Sequence, residues 1–241
     1  MITRVAVVPN PPLLVPELVP GSVADTAGVR DAVLEAAAWL AEESEHWLAI
    51  GVHDGPRRAV PPSTRSTFAG YGVDVPVALS DEPGGEVEPD APLPALVAGW
   101  LRGQTGATSV HVELVPPGYP PDECIGLGRR LADAAQRSAV PGPGVLLVLG
   151  DGSIRHGERA PARPDERAPA FEARVAAALA KADAAALSSI EPELAADMGA
   201  MGRAAWQVAA GVLGDDRWVS KLLYSDTPFG VGYHVATWER P

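Results

Sequence analysis

The sequence predicts an α/β fold: one three-layer α/β/α domain around a central, largely parallel, mixed sheet. Three observations carry that expectation. Short β-branched apolar runs alternate with stretches of helical periodicity along most of the 241 residues. The runs are close to continuous in apolar character, "GPGVLLVLG" (142–150) most of all, as strands covered on both faces require. No interior segment is long or biased enough to mark a boundary, so residues 1–241 read as a single domain.

Taken in order, "ITRVAVV" (2–8) is a buried strand. In "VRDAVLEAAAWLAEE" (29–43), Val29, Val33, Ala36, Ala37 and Leu40 recur at helical spacing. "HWLAIGV" (46–52) is a second strand, and 67–80 has room for a short one. The acidic, Gly/Pro-rich stretch 80–90 reads as a loop. A helix over 92–102, a strand over 108–115 and an amphipathic helix over 121–137 follow, the last with Pro121 tolerated in its first turn. After the apolar strand comes a long polar loop (151–169), then helices near 170–186, 191–197 and 199–213. Strands at 217–225 and 231–239 close the chain.

Nineteen Lys and Arg against 31 Asp and Glu give a net charge of −12. Such a surface repels nucleic-acid phosphate and anionic membrane, and no basic stripe offsets it. One cysteine, Cys124, excludes an internal disulfide and a cysteine-based zinc site. The early prolines cut the first apolar run far short of a membrane span, and no leader pattern precedes it, so a cytoplasmic protein is expected.

In open α/β sheets, ligands sit beyond the carboxyl ends of the strands. Four such ends carry polar residues. Asn10 stands between Pro9 and Pro11, either a turn residue or a polar group held on a stiff loop. "VHDGP" (52–56) sets His53 and Asp54 after the second strand; Asp-Gly-Pro is sound turn chemistry, and imidazole is a good ligand for iron or zinc. "LGDGSIRHGE" (149–158) offers Asp151, Ser153 and His156, without dinucleotide-binding spacing and without a serine-hydrolase elbow. The fourth end is Ser225 to Phe229. His46, His111 and His234 have no partner that the sequence names.

These strand ends together resemble the LigB-like family of class III extradiol ring-cleavage dioxygenases, within the superfamily that includes the Memo proteins. "LGDGSIRHGERAP" is similar to that family's G-D-x-S-H segment, the helices over 171–213 to those that follow it, and "LLYSDTPFGVGYHVA" to its closing strand pair. "VVPNPPLLVPEL" resembles its opening P-H-P-P-L segment, and "LAIGVHDGP" its P-H-G-P turn. The likeness runs end to end and is most specific over 145–237. It implies Fe(II) held by two histidines and a carboxylate, with open positions for a catecholate and dioxygen, and a histidine as acid and base.

Carried over residue by residue, the metal ligands fall on Asn10, on or beside His53, and near Asp226. The base falls on Ile154, with His156 two residues late. The resemblance thus implies a degenerate site, with His156, Ser153 and Asp151 as catalytic candidates. Two readings stay open: a ferrous dioxygenase acting on a small catecholic aromatic, and a non-catalytic relative whose old pocket binds a small molecule or protein partner. A weaker third is metal-assisted hydrolysis, with Asp54 and Asp151 joining His53 around a harder cation. A smaller companion chain or a homo-oligomer fits the family; the sequence identifies no partner.

Overall fold

Strand β1 (Ile2–Val8) runs parallel to β7 (Gly144–Leu149), because both are apolar on both faces and need covering from both sides. Around this pair the sheet builds outward. β2 (His46–Val52) lies on the other side of β7, and β6 (Ser109–Val115) beyond β2, both parallel. On the opposite flank β9 (Tyr233–Glu239) pairs antiparallel with β1, and β8 (Val219–Asp226) antiparallel with β9. A short β3 (Arg58–Val60), absent from the sequence expectation, edges β6. The order is β3-β6-β2-β7-β1-β9-β8, a mixed sheet with a parallel centre. The structure, a computed structural model, describes all residues except 83, 85, 86 and 138–143. Part of the expected loop over 80–90 and the first two residues of the 142–150 segment therefore lie outside the described residues.

Helices cover both faces. On one, α1 (Ala27–Glu43) and α2 (Leu93–Thr105) bury Val33, Ala36, Leu40, Leu96 and Leu101 against Ala6, Val8, Ala49 and Leu147. On the other, α3 (Pro121–Arg137), α4 (Ala168–Leu179), α5 (Ala184–Ser188), α6 (Pro192–Met198) and α7 (Arg203–Leu213) enclose Val5, Val7, Leu146 and Val148. α3 and α7 meet at Gly128 and Gly211, where a methyl group would strike the opposing backbone. A two-stranded ribbon, β4 (Arg65–Thr67) and β5 (Pro76–Ala78), replaces the single strand expected over 67–80.

The expected helix over 170–186 breaks into α4 and α5. Ala182 adopts a left-handed φ of 49°, and Asp183 caps α5 by accepting the Ala186 N–H at 2.9 Å. The helix expected from 199 starts at Arg203, since Gly199 closes α6 with a φ of 66°. Among the described residues no helix is long and apolar enough to cross a membrane.

Candidate functional site

All four parallel strands end at one rim of the sheet, and the antiparallel β8–β9 turn meets them there. Each residue singled out by the sequence stands on this rim, but they divide into separate groups.

Asn10 and Asp151 come together. The Asn10 backbone N–H donates to Asp151 Oδ1 at 2.9 Å, linking the loop after β1 to the loop after β7. Asp151 is largely enclosed, and its carboxyl is pushed up to about 6, mainly by burial; the Asn10 N–H opposes the rise and the nearby Glu172 charge adds to it. The Tyr233 hydroxyl is pushed up as well, by burial first and then by the Asp151 and Tyr224 groups near it. Asn10 is only 7% exposed and Tyr233 3%. Among the described residues, neither the Asn10 side-chain amide nor the Tyr233 hydroxyl makes a hydrogen bond, and neither belongs to the fully enclosed unpaired polar atoms. Their bodies are buried while their polar tips reach the surface. Such tips are free to bond water or a bound polar molecule.

His53 belongs to a different group. Its Nε2 lies 3.0 Å from the Pro56 carbonyl oxygen, and its ring rests on Gly55, where a side chain would collide with it. Asp54 is exposed in the same turn. Asp226, at the end of β8, accepts the Thr227 N–H through Oδ1 at 2.7 Å. Strands β7, β1 and β9 lie between β2 and β8. Four inter-strand steps amount to roughly 19 Å along the sheet, too far for His53 and Asp226 to share a metal without a large loop rearrangement. Among the described residues no three His, Cys, Asp or Glu side chains cluster as metal ligands would. The ligand set implied at Asn10, His53 and Asp226 therefore does not fit a ferrous centre: one member is a neutral amide, and the other two are engaged in local turns. The harder-cation grouping of Asp54, Asp151 and His53 is likewise not assembled.

The loop after β7 folds back onto the loop before β9. Gly232 N–H donates to Ser153 O, Gly152 N–H to Gly232 O, and His156 N–H to Gly230 O. This brings His156 Nδ1 within 2.9 Å of Thr227 Oγ1, beside Asp226. Ser153 is not available as a nucleophile. It is fully buried, its hydroxyl donates to Met198 O at 3.1 Å, and the same oxygen accepts the Arg155 N–H. Ile154 packs on Gly199 and keeps the position apolar.

Two residues that matter most here escape the sequence reading. Glu172 of α4 is buried, accepting the Ser153 N–H at 2.5 Å and facing His234 Nε2 at 2.6 Å. Its carboxylate occupies space that a side chain at Gly152 or Gly232 would fill, so both glycines are required by close approach. A signal exists: Ala168, Phe171, Val175, Ala178 and Leu179 form the apolar stripe of α4, and Glu172 falls on that stripe. His234 carries no comparable mark. An open cleft of about 480 Å³ between α2 and the β4–β5 ribbon lies away from this rim; its Arg102 is already bonded to Asp81, Ala78 and Ala107.

No family model and no curated protein sequence matches the chain. Among solved structures it is similar to the crystal structure of uncharacterized protein JW3007 from Escherichia coli K12. The TM-score is 0.53 at 11% identity, over 98% of this chain and 99% of that one. That likeness establishes the shared α/β fold over the whole length.

Proposed function

We propose that this chain is a relative of the extradiol dioxygenases that binds a small polar aromatic molecule at the carboxyl rim without the ferrous centre of that family. One observation carries the reading. The Asn10 side-chain amide and the Tyr233 hydroxyl, from two different segments, lack protein partners among the described residues beside Asp151, while His53 and Asp226, at the other two metal-ligand positions, are engaged in local turns. An amide and a phenol whose tips have no protein partner are free to bond a ligand or water. A cytoplasmic setting agrees with the lone, buried Cys124, whose thiol is pushed up to about 11 by burial and is unreactive there.

The second reading is iron-dependent ring cleavage. The foldback of His156 onto the Asp226 loop favours it, since that places an imidazole near the carboxylate. One experiment separates the two. Purified protein is titrated anaerobically with Fe(II), its metal content is measured, and catechol and air are then added. The binding reading predicts far less than one iron per chain and no oxygen uptake above background. Stoichiometric iron that is lost in His53→Ala, with a coloured ring-cleavage product, would establish the dioxygenase instead.

A further inference from the structure

Side chains alternate along β9, so Tyr233 faces α1 and the next residue, His234, faces α4. On that second face a line of three groups runs from solvent into the core. Ser225 Oγ lies 2.9 Å from His234 Nδ1, and His234 Nε2 lies 2.6 Å from Glu172 Oε2. Ser225 is exposed, whereas His234 and Glu172 are buried. The other Glu172 oxygen accepts the Ser153 backbone N–H, so the carboxylate serves as an acceptor on both sides. The ring then donates through Nε2–H, and in its neutral form the Nδ1 lone pair receives the Ser225 hydroxyl. This is the tautomer in which an imidazole can take a proton from a hydroxyl, with a third group fixing its orientation. Close approach of Gly152 and Gly232 to Glu172 sets the deep end of the line in backbone rather than in flexible side chains.

We propose that Ser225 is an activated nucleophile that takes an acyl group from small activated esters, with His234 as the base and Glu172 as the positioning group. As Oγ bonds to the carbonyl carbon, its proton passes to Nδ1. When the tetrahedral adduct collapses, the bond to the ester's alkoxide oxygen breaks and that oxygen leaves with the proton from Nδ1. Water then gives a proton to Nδ1 as it attacks the acyl carbon, and Ser225 Oγ departs, recovering the proton. Glu172 holds Nε2–H throughout and favours the positive charge that appears on the ring. Ser225 lies on β8, the last strand of the sheet, so the ester approaches from open solvent.

The test treats the full chain with a fluorophosphonate reagent and maps the adduct by peptide mass. A single adduct is expected on Ser225, absent in Ser225→Ala and retained in Ser220→Ala on the same strand. In His234→Gln it should form at least about 100-fold more slowly, the usual scale of general-base assistance. Ser225 is exposed, so its alanine variant tests the proposal even if His234→Gln fails to fold. The two proposals also fail separately, because labelling reads Ser225 whereas catechol binding reads Asn10 and Tyr233. No adduct, an adduct elsewhere, or an equal rate in a folded His234→Gln would overturn the proposal and leave Ser225 as a hydrogen-bond partner of a buried histidine.

Discussion

Two strand ends that look alike in the sequence behave differently in the fold. "VHDGP" after β2 and "LGDGSIRH" after β7 both place an aspartate, a glycine and a histidine beyond a buried strand. The first closes on itself: His53 bonds the Pro56 carbonyl and Asp54 faces solvent. The second is drawn into the molecule, tied to the β8–β9 turn by three backbone bonds and seated on Glu172. The difference lies in what packs over each end. β7 is central, so its loop is covered by β9's turn and by α4, and its polar groups must find partners or face a ligand. A strand end with polar residues is therefore a weak pointer to a site. A polar end that other elements enclose, with atoms left unpaired, is a stronger one.

The comparison breaks first at Glu172. Replacing it with alanine strips the acceptor from the Ser153 N–H and from His234, so chemical denaturation should show a loss of about 3–5 kcal/mol. A loss below about 1 kcal/mol would mean that the loop after β7 is no better anchored than the loop after β2. Next comes Asp151→Asn, with the opposite sign. The Asp151 carboxyl, at about 6 in the fold, lies above its usual value of 3.8, so the folded state binds that proton more tightly. Its contribution to stability is complete below the unfolded value and is lost as pH rises through about 6, a cost on the order of 3 kcal/mol at neutral pH. Asparagine can still accept the Asn10 N–H, so at pH 7 the variant should melt several degrees higher, with a flatter profile between pH 4 and 6. An unchanged or lowered melting temperature would show that Asp151 is not penalised by burial.

Smaller effects sharpen the same contrast. Tyr233→Phe removes a hydroxyl with no protein partner and should leave stability within about 1 kcal/mol of the parent. A larger loss would reveal a partner for that hydroxyl and remove it from the proposed binding site. His53→Ala alters only a self-contained turn and should fall within about 0.5 kcal/mol. A greater change in its denaturation midpoint would mean that the β2 end also anchors other parts of the rim.

How much of this is legible follows from what the sequence encodes locally. The two-sided apolar runs of β1 and β7 and the periodicity of α1 and α3 are local signals, and they lead to the observed layers. The break at Ala182 and Asp183 is hard to read because no glycine or proline marks it, although Asp183 three residues before Ala186 is a capping signal. β3 is three residues long and gains its pairing from β6, a tertiary effect. At the rim, Asn10 and Asp151 stand out by position alone. Their contact, and the pairing of Glu172 with His234 across 62 residues, are set by packing that no spacing rule anticipates.

The most direct measurement is calorimetric binding of catechol to four proteins: the parent, Asn10→Ala, Tyr233→Phe and His53→Ala. Asn10→Ala keeps the backbone N–H that holds Asp151, so it tests the amide without loosening the loop. Binding should weaken at least about tenfold in Asn10→Ala and in Tyr233→Phe, the loss of about one good hydrogen bond, and stay unchanged in His53→Ala. Binding that survives both of the first two changes and vanishes with His53 would contradict the account.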